Sequence, residues 1–330
     1  MVRAAVVGCG DVSVVHLQAI QQIEGSELVA ICDLDPEVAA AVGAQYGVPG
    51  FTDLQEMIES VRPEVVQIST PHDQHVNVAL ACLEAGVAVL SEKPVAQNLA
   101  EAEKLVAWAA EHPDAVVGIC FQNRYNATSQ AARELLASGE LGAVRGAFAT
   151  VAWHRAPAYY AKRPWRGQRA HAGGGSLINQ AIHTLDLLQW LLGDVTELSG
   201  EVATRRYGAV SEVEDAAEIL LTHAGGVRTA FYGTLAAPQH RPVEIELDCE
   251  NAYVVIRNGL RVRWKGDRPR DKYAERKAPS EGRSYWGVSH ELLIRDFYGS
   301  LDDPEPFWIG PAEAMKSLEI LKEVYRQSGL

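Results

Sequence analysis

The first third of the chain alternates short, unbroken apolar runs with stretches of helical length. "RAAVVG" (3–8), "LVAICD" (28–33), "VVQIST" (65–70), "VAVLSE" (87–92) and "VVGICF" (116–121) lack polar alternation, which predicts strands covered on both faces. Between them, Pro36 to Tyr46, Asp73 to Ala85 and Asn98 to His112 predict helices, an order that builds a doubly wound parallel α/β sheet. From about residue 121 the runs lengthen and alternate, as in "VRGAFATVAWH" (144–154), "AAEILLTH" (216–223) and "VEIELDCENAYVVIRNGLRVRW" (243–264). The last holds Asn258-Gly259 between two alternating runs, a type I′ hairpin signal. A long apolar helix follows "GGGS" (173–176) and runs through Leu192, and two more are predicted at about 289–301 and 311–327. The expected organisation is an α/β domain over 1–120 and an α+β domain with a large, open, mainly antiparallel sheet over 121–330.

Size and charge narrow the partners. A chain of 330 residues that is 47% hydrophobic can bury two cores. Its formal net charge of −13 repels phosphate backbones and anionic lipid surfaces, so neither nucleic acid nor membrane is expected as a partner, and a small ligand is. "MVRAAVVGCG" turns too soon for a signal peptide, and no apolar run reaches spanning length, so a cytoplasmic protein is expected. Cys9, Cys32, Cys82, Cys120 and Cys249 form no CxxC pair, and neither disulfides nor a bound metal is expected.

Chemistry first enters at "GCGDVS" (8–13), after the first strand and before a helix. Gly8 allows the tight turn and Gly10 the approach of a pyrophosphate, with Asp11 and Val12 leading into the helix N-terminus. Ser13 stands in place of a third glycine and is still small enough for close helix–strand packing. Asp33, at the end of the second strand, offers a carboxylate to the adenosine ribose. Asp33 and Asp35, with no arginine beside them, would repel a 2′-phosphate, so the expected cofactor is NAD and NADP is disfavoured. Either acid could instead cap the helix at Pro36, and both duties can be filled, one by each. The first domain is thus expected to be a Rossmann dinucleotide-binding domain.

In an open parallel sheet ligands bind beyond the carboxyl ends of the strands, where Thr70-Pro71, Glu92-Lys93-Pro94 and Phe121-Gln122 all fall. A lysine there, partly desolvated beside a nicotinamide that becomes cationic on oxidation, can exchange protons near neutral pH. A solvated strand-end lysine is the ordinary alternative.

Three segments, "GCGDVSVVH", "TPHDQHVNVALACLEAGVAVLSEKPVA" (70–96) and "GGGSLINQAIHTLDLLQWLLG" (173–193), resemble the signatures of the Gfo/Idh/MocA oxidoreductases, the group that includes glucose-fructose oxidoreductase and inositol dehydrogenase. The resemblance spans nearly the whole chain and implies hydride transfer between a nicotinamide cofactor and a secondary hydroxyl of a sugar, sugar nucleotide or polyol. It implies Lys93, before an often cis proline, and His183 as the catalytic pair, converging on one carbinol. It implies Thr70, Pro71 and His75 along the cofactor, Glu92 and Gln122 near the nicotinamide ribose, and Arg124, Trp165 and Arg166 toward nicotinamide and substrate. It also implies a homodimer or homotetramer built through the second sheet.

On the helix after Gly175, Asn179, His183 and Asp186 fall at i, i+4 and i+7, one polar stripe on an apolar element. His183 is the expected proton acceptor and Asn179 a holder of a substrate oxygen. Inositol dehydrogenases have aspartate where this chain has Asn179, so inositol is not singled out and the division of acid and base duty with Lys93 stays open. The loop 154–175 combines Tyr159, Tyr160 and Trp165 with Arg155, Lys162, Arg163, Arg166 and Arg169, suited to a sugar ring and to an anion, or else to solvent. Nine Lys/Arg from Arg257 to Lys277 read as a solvated loop. Two other functions fit the same residues: an NAD-dependent glycosidase that regenerates its cofactor, and a dinucleotide sensor without chemistry.

Overall fold

The computed structural model describes residues 1–276 and 289–330, and among these the chain divides into two compact units. The first comprises Met1–Gln122 with residues 289–315, the second residues 123–276 with Lys316–Leu330.

In the first unit β1 (Val2–Val7), β2 (Ser26–Cys32), β3 (Gly50–Phe51), β4 (Val65–Ile68), β5 (Ala88–Glu92) and β6 (Val117–Cys120) form a parallel sheet in the order β3-β2-β1-β4-β5-β6. This is the Rossmann order, with the reversal between β1 and β4. Ala4, Val6, Ile31, Val66, Val89 and Ile119 are fully buried, as unbroken apolar runs require. The two-residue β3 is too short to leave a periodic signal.

The helix Ser289–Gly299 belongs to this unit, not to the second domain where the sequence boundary placed it. The reason is packing. Phe297 and Phe307 close over Gly118 on β6, where a Cβ would lie 2.8 Å from the Phe297 ring, and Ile119 N–H donates to Ile309 O at 2.8 Å.

The second unit contains β7 (Val144–Ala152), β8 (Val195–Ala203), β9 (Ala216–His223), β10 (Arg228–Thr234), β11 (Glu244–Cys249), β12 (Ala252–Ile256), β13 (Leu260–Trp264) and β14 (Asp271–Tyr273). Their order is β14-β13-β12-β11-β7-β10-β9-β8, antiparallel throughout except for β7 beside β10. The run 243–264 is three strands rather than two, broken at Glu250-Asn251 as well as at the hairpin. Asn258 and Gly259 both take positive φ, 49° and 125°, as the turn demands. One face buries Ala149, Val151, Ile219, Phe231, Leu247 and Val254, while Phe148, Leu220, Tyr232 and Tyr253 stand exposed on the other.

The basic stretch after Arg257 is matched by acids of the same unit: Arg257 with Glu244 at 3.3 Å, Lys265 with Asp248 at 3.4 Å and Arg268 with Glu140 at 2.7 Å. Lys277 lies outside the described residues. All five cysteines are unpaired, and no described helix is long and apolar enough to cross a membrane.

Candidate functional site

In the first unit the chain leaves β1 and turns at Gly8, with φ of 86°. A Cβ there would sit 2.7 Å from the Ser69 carbonyl carbon, so only glycine lets the turn rest against the end of β4. A Cβ on Gly10 would meet nothing nearer than Ser69 O at 4.0 Å, which leaves that face open to a ligand. Asp11 and Val12 complete the turn, and the helix Ser13–Gln22 begins with no side-chain cap and no acid in its first turn. Its leading N–H groups therefore suit an anion. Ser13 fits where a third glycine is usual because its hydroxyl donates back to Gly10 O at 2.7 Å.

Asp33 and Asp35 divide the work. Asp33 accepts Cys9 N–H on Oδ2 at 2.8 Å and Asp35 N–H on Oδ1 at 3.0 Å, fastening the glycine turn to the end of β2. Asp35 caps the helix Pro36–Tyr46, accepting from Glu37 N at 2.9 Å and Val38 N at 3.4 Å.

The end of β5 is held from beneath. Glu92 is 5% exposed, and its Oε1 meets His16 Nε2 at 3.0 Å and His290 Nε2 at 3.4 Å. The Cys120 thiol also hydrogen-bonds Glu92. His16 Nδ1 lies 2.6 Å from Gln67 Oε1, and Gln67 Nε2 donates to the Tyr298 hydroxyl at 2.6 Å. Burial alone would raise the Glu92 carboxyl, but hydrogen bonds and charge from the two imidazoles overturn this and hold it well below the usual carboxylate range. The ligating atoms of His16, Glu92, Cys120 and His290 lie within 4.8 Å of one another, a donor set that zinc accepts. Here both imidazoles address one carboxylate oxygen, so Glu92 itself is the hub. Glu92 also anchors the turn, its Oε2 accepting Lys93 N–H at 3.3 Å.

The Lys93-Pro94 bond is cis. His75, expected along the cofactor, is instead buried and spans two carbonyls, Nδ1 at 2.7 Å from Pro94 O and Nε2 at 3.0 Å from Thr70 O. Burial lowers its pKa against the pull of those carbonyls. It braces the segment that carries Thr70, Pro71 and Lys93. Around this edge Ser69 Oγ, Thr70 Oγ1 and Gln122 Oε1 are buried with no hydrogen-bond partner among the described residues. Such orphans call for a ligand rich in hydroxyl and amide groups, which a nicotinamide riboside is. The residues present therefore fit a nicotinamide dinucleotide.

In the second unit the helix after the glycines opens with a π-helical turn, Leu177–Ala181, before the α-helix Ile182–Leu192. The wider turn places Asn179 in the irregular segment and His183 at the start of the regular one, a local distortion frequent at functional sites. Glu214, which the sequence reading missed, fixes this entrance. Its carboxylate accepts Gly175 N–H at 2.7 Å, Leu177 N–H at 3.0 Å and the Tyr325 hydroxyl at 3.0 Å. A Cβ on Gly175 would lie 1.9 Å from Glu214 O, so the chain passes too close for any side chain. The only signal of Glu214 was an acid pair, Glu214-Asp215, opening an apolar strand.

Among the expected site residues, Arg124 and Tyr160 have structural partners. Arg124 is 1% exposed and forms a bidentate pair with Asp186, Nε to Oδ2 at 2.8 Å and Nη2 to Oδ1 at 2.6 Å. Asp186 also accepts from Ser317 at 3.2 Å, so the third member of the polar stripe is an internal tether. Tyr160 is buried with Tyr207 and Val213, because consecutive residues of the short helix Ala158–Lys162 face different ways and Tyr160 takes the inner one. Trp165 and Arg166 remain half-buried on the turn Pro164–Gly167.

Residues 2–119 match an oxidoreductase family with an NAD-binding Rossmann fold, and residues 129–255 match the GFO/IDH/MocA C-terminal domain. The chain belongs to the GFO/IDH/MocA oxidoreductase family. Among its GFO/IDH/MocA relatives, D-apiose dehydrogenase of Paraburkholderia graminis is 33% identical over 242 residues, covering 72% of this chain and 62% of that protein. Inositol 2-dehydrogenase of Rubrobacter xylanophilus is 31% identical over 68% of this chain and 62% of its own length. The chain thus spans about three-fifths of the length of these two relatives. The crystal structure of the WlbA dehydrogenase from Bordetella pertussis, in complex with NADH and UDP-GlcNAcA, aligns with a TM-score of 0.86 at 28% identity, covering 99% of this chain and 96% of that one.

Proposed function

We propose that this protein is an NAD-dependent dehydrogenase acting on a secondary hydroxyl of a sugar, sugar derivative or polyol. The observation that carries the reading is the carboxyl edge of the parallel sheet. There an uncapped helix start follows a glycine turn, three buried polar atoms lack partners among the described residues, and Lys93 sits on a doubly braced turn.

When bound, the nicotinamide supplies the hydride acceptor or donor. The chain's own groups handle the proton: His183 or Lys93, in its neutral form, takes the hydroxyl proton as the carbon loses its hydrogen with the electron pair, leaving a ketone. Asn179 orients a substrate oxygen, and Thr70, Pro71 and Gln122 line the nicotinamide riboside. Asp33 and the absence of a neighbouring arginine favour NAD over NADP. The exposed outer face of the second sheet, with Phe148, Leu220, Tyr232 and Tyr253, suits a second copy of the chain, and light scattering tests that homodimer or homotetramer. Unpaired, mostly buried thiols suit a cytoplasmic protein.

A panel of polyols, aldoses, uronates and sugar nucleotides, followed by NADH absorbance, tests the reading. Lys93→Ala and His183→Ala are each expected to lower kcat by about 100-fold or more while NADH binding persists. A variant that keeps near-normal turnover removes its residue from the mechanism.

A further inference from the structure

The loop from Trp153 to Arg166 carries a ladder of rings and guanidinium groups that the reaction above leaves unused. His240 stacks on Trp153, centroids 5.2 Å apart and planes 21° apart. The Arg155 guanidinium lies 5.0 Å from the Trp153 ring and 5.6 Å from the Tyr159 ring, and that of Arg166 lies 4.6 Å from Tyr159. The ladder reaches the helix that bears the substrate groups: Gln180 Nε2, one residue beyond Asn179, donates to the Tyr159 hydroxyl at 3.2 Å.

Arg155 is the rung whose charge is uncompensated. It is half-buried, its Nε is buried with no hydrogen-bond partner, and its guanidinium meets no carboxylate among the described residues. The titratable groups that act on one another here, Arg155, His154 and His240, are all basic in type. Burial first, then Arg155 and His154, lower the pKa of His240. The fold does not need the guanidinium, because the backbone at this position is fastened separately: Arg155 N–H donates to Leu235 O at 2.9 Å and the Tyr207 hydroxyl donates to Arg155 O. Tyr207 is itself fixed by Asp215, which accepts its N–H at 2.8 Å along with those of Arg205 and Arg206. A partly desolvated cation flanked by two rings gains from cation–π contact, but it still lacks an anion.

We infer that Arg155 receives an anionic group, a carboxylate or a phosphate, on the sugar substrate, with the flanking rings against the sugar's apolar face. The inference rests on the dehydrogenase reading and narrows its substrate class to acidic sugars or sugar phosphates, sugar nucleotides included. A guanidinium suits either oxyanion, because its N–H groups present parallel donors.

Calorimetric titration of the NADH-loaded protein tests this with glucose, glucuronate, glucose 6-phosphate and UDP-glucuronate, on wild type, Arg155→Met and Arg155→Lys. At least one anionic sugar is expected to bind wild type about tenfold or more tighter than glucose, a gap that Arg155→Met closes and Arg155→Lys partly restores. The relative affinities of glucuronate and glucose 6-phosphate distinguish the carboxylate from the phosphate. An unchanged melting temperature of Arg155→Met separates lost recognition from lost fold. The proposal is overturned if no anionic sugar outbinds glucose, or if the preference survives in Arg155→Met. Arg155-dependent binding without NAD⁺ reduction sinks the dehydrogenase reading alone, and oxidation of a neutral sugar without anion preference sinks this inference alone.

Discussion

At Glu92, side chains from three distant stretches of chain, His16, Cys120 and His290, meet one buried carboxylate. Glu92→Gln keeps the shape and removes the charge that both imidazoles address. Breaking a buried ion cluster in this way is expected to cost about 3–5 kcal/mol, read from urea unfolding. A loss under about 1 kcal/mol would mean that the carboxylate is not ionised in the fold. The two aspartates after β2 part under mutation as well. Asp35→Ala is expected to cost about 1 kcal/mol of stability and leave NADH affinity intact, since Asp35 only caps a helix. Asp33→Asn is expected to weaken NADH and narrow the preference over NADPH in equilibrium binding, as follows from the proposed role of its charge against a 2′-phosphate. The cap at Asp35 was legible in the sequence because that duty is local. The duty of Glu92 was not, because its partners lie 76 and 198 positions away.

Among the elements, the helix after the three glycines was located by its apolar periodicity from its start after Ser176 to its end at Leu192, but its irregular first turn was not. A regular α-helix puts Asn179, His183 and Asp186 in one stripe, whereas the π turn at Leu177–Ala181 sets Asn179 apart and Asp186 turns to Arg124. Asp186→Asn leaves the Arg124 cation buried against a neutral amide. It is expected to destabilise the second unit by about 3–5 kcal/mol, and the double variant Arg124→Met/Asp186→Leu to recover much of that loss, measured by chemical denaturation. If the double variant is no more stable than the single one, the pair holds more than charge. The strands were found where apolar runs were unbroken or alternated, and β3 was missed because two residues carry no period.

For the whole molecule, buried titratable groups set the response to acid. His75 and His223 are pushed down mainly by burial, and Glu92 is held low by its imidazole partners. For each, the unfolded chain binds more protons than the folded one between the two pKa values, so stability is present above the unfolded value and falls on acidification. The loss should begin near about pH 6.5 for the histidines and deepen below about pH 4.3 for Glu92. Glu214 works in the opposite sense, since burial raises its pKa and its share is lost as pH rises through that value. Melting temperatures between about pH 8 and pH 4 are expected to fall, and His75→Gln to flatten the upper part of the slope. A flat profile would mean that these groups titrate alike in both states.

What the sequence determined by itself is what depends on neighbours along the chain: the two kinds of sheet, the glycine turn, the caps, the Asn258-Gly259 hairpin and the segments that mark the family. Only the tertiary structure decided what depends on side chains meeting from far apart. It gave residues 289–315 to the first unit by packing Phe297 and Phe307 on Gly118, and it turned Arg124, Tyr160 and His75 inward. It also left Arg155 between two rings with no counter-ion among the described residues. Periodicity reports which face of an element is buried, but a charge's partner is set by the path of the chain, and that path is written in no local pattern.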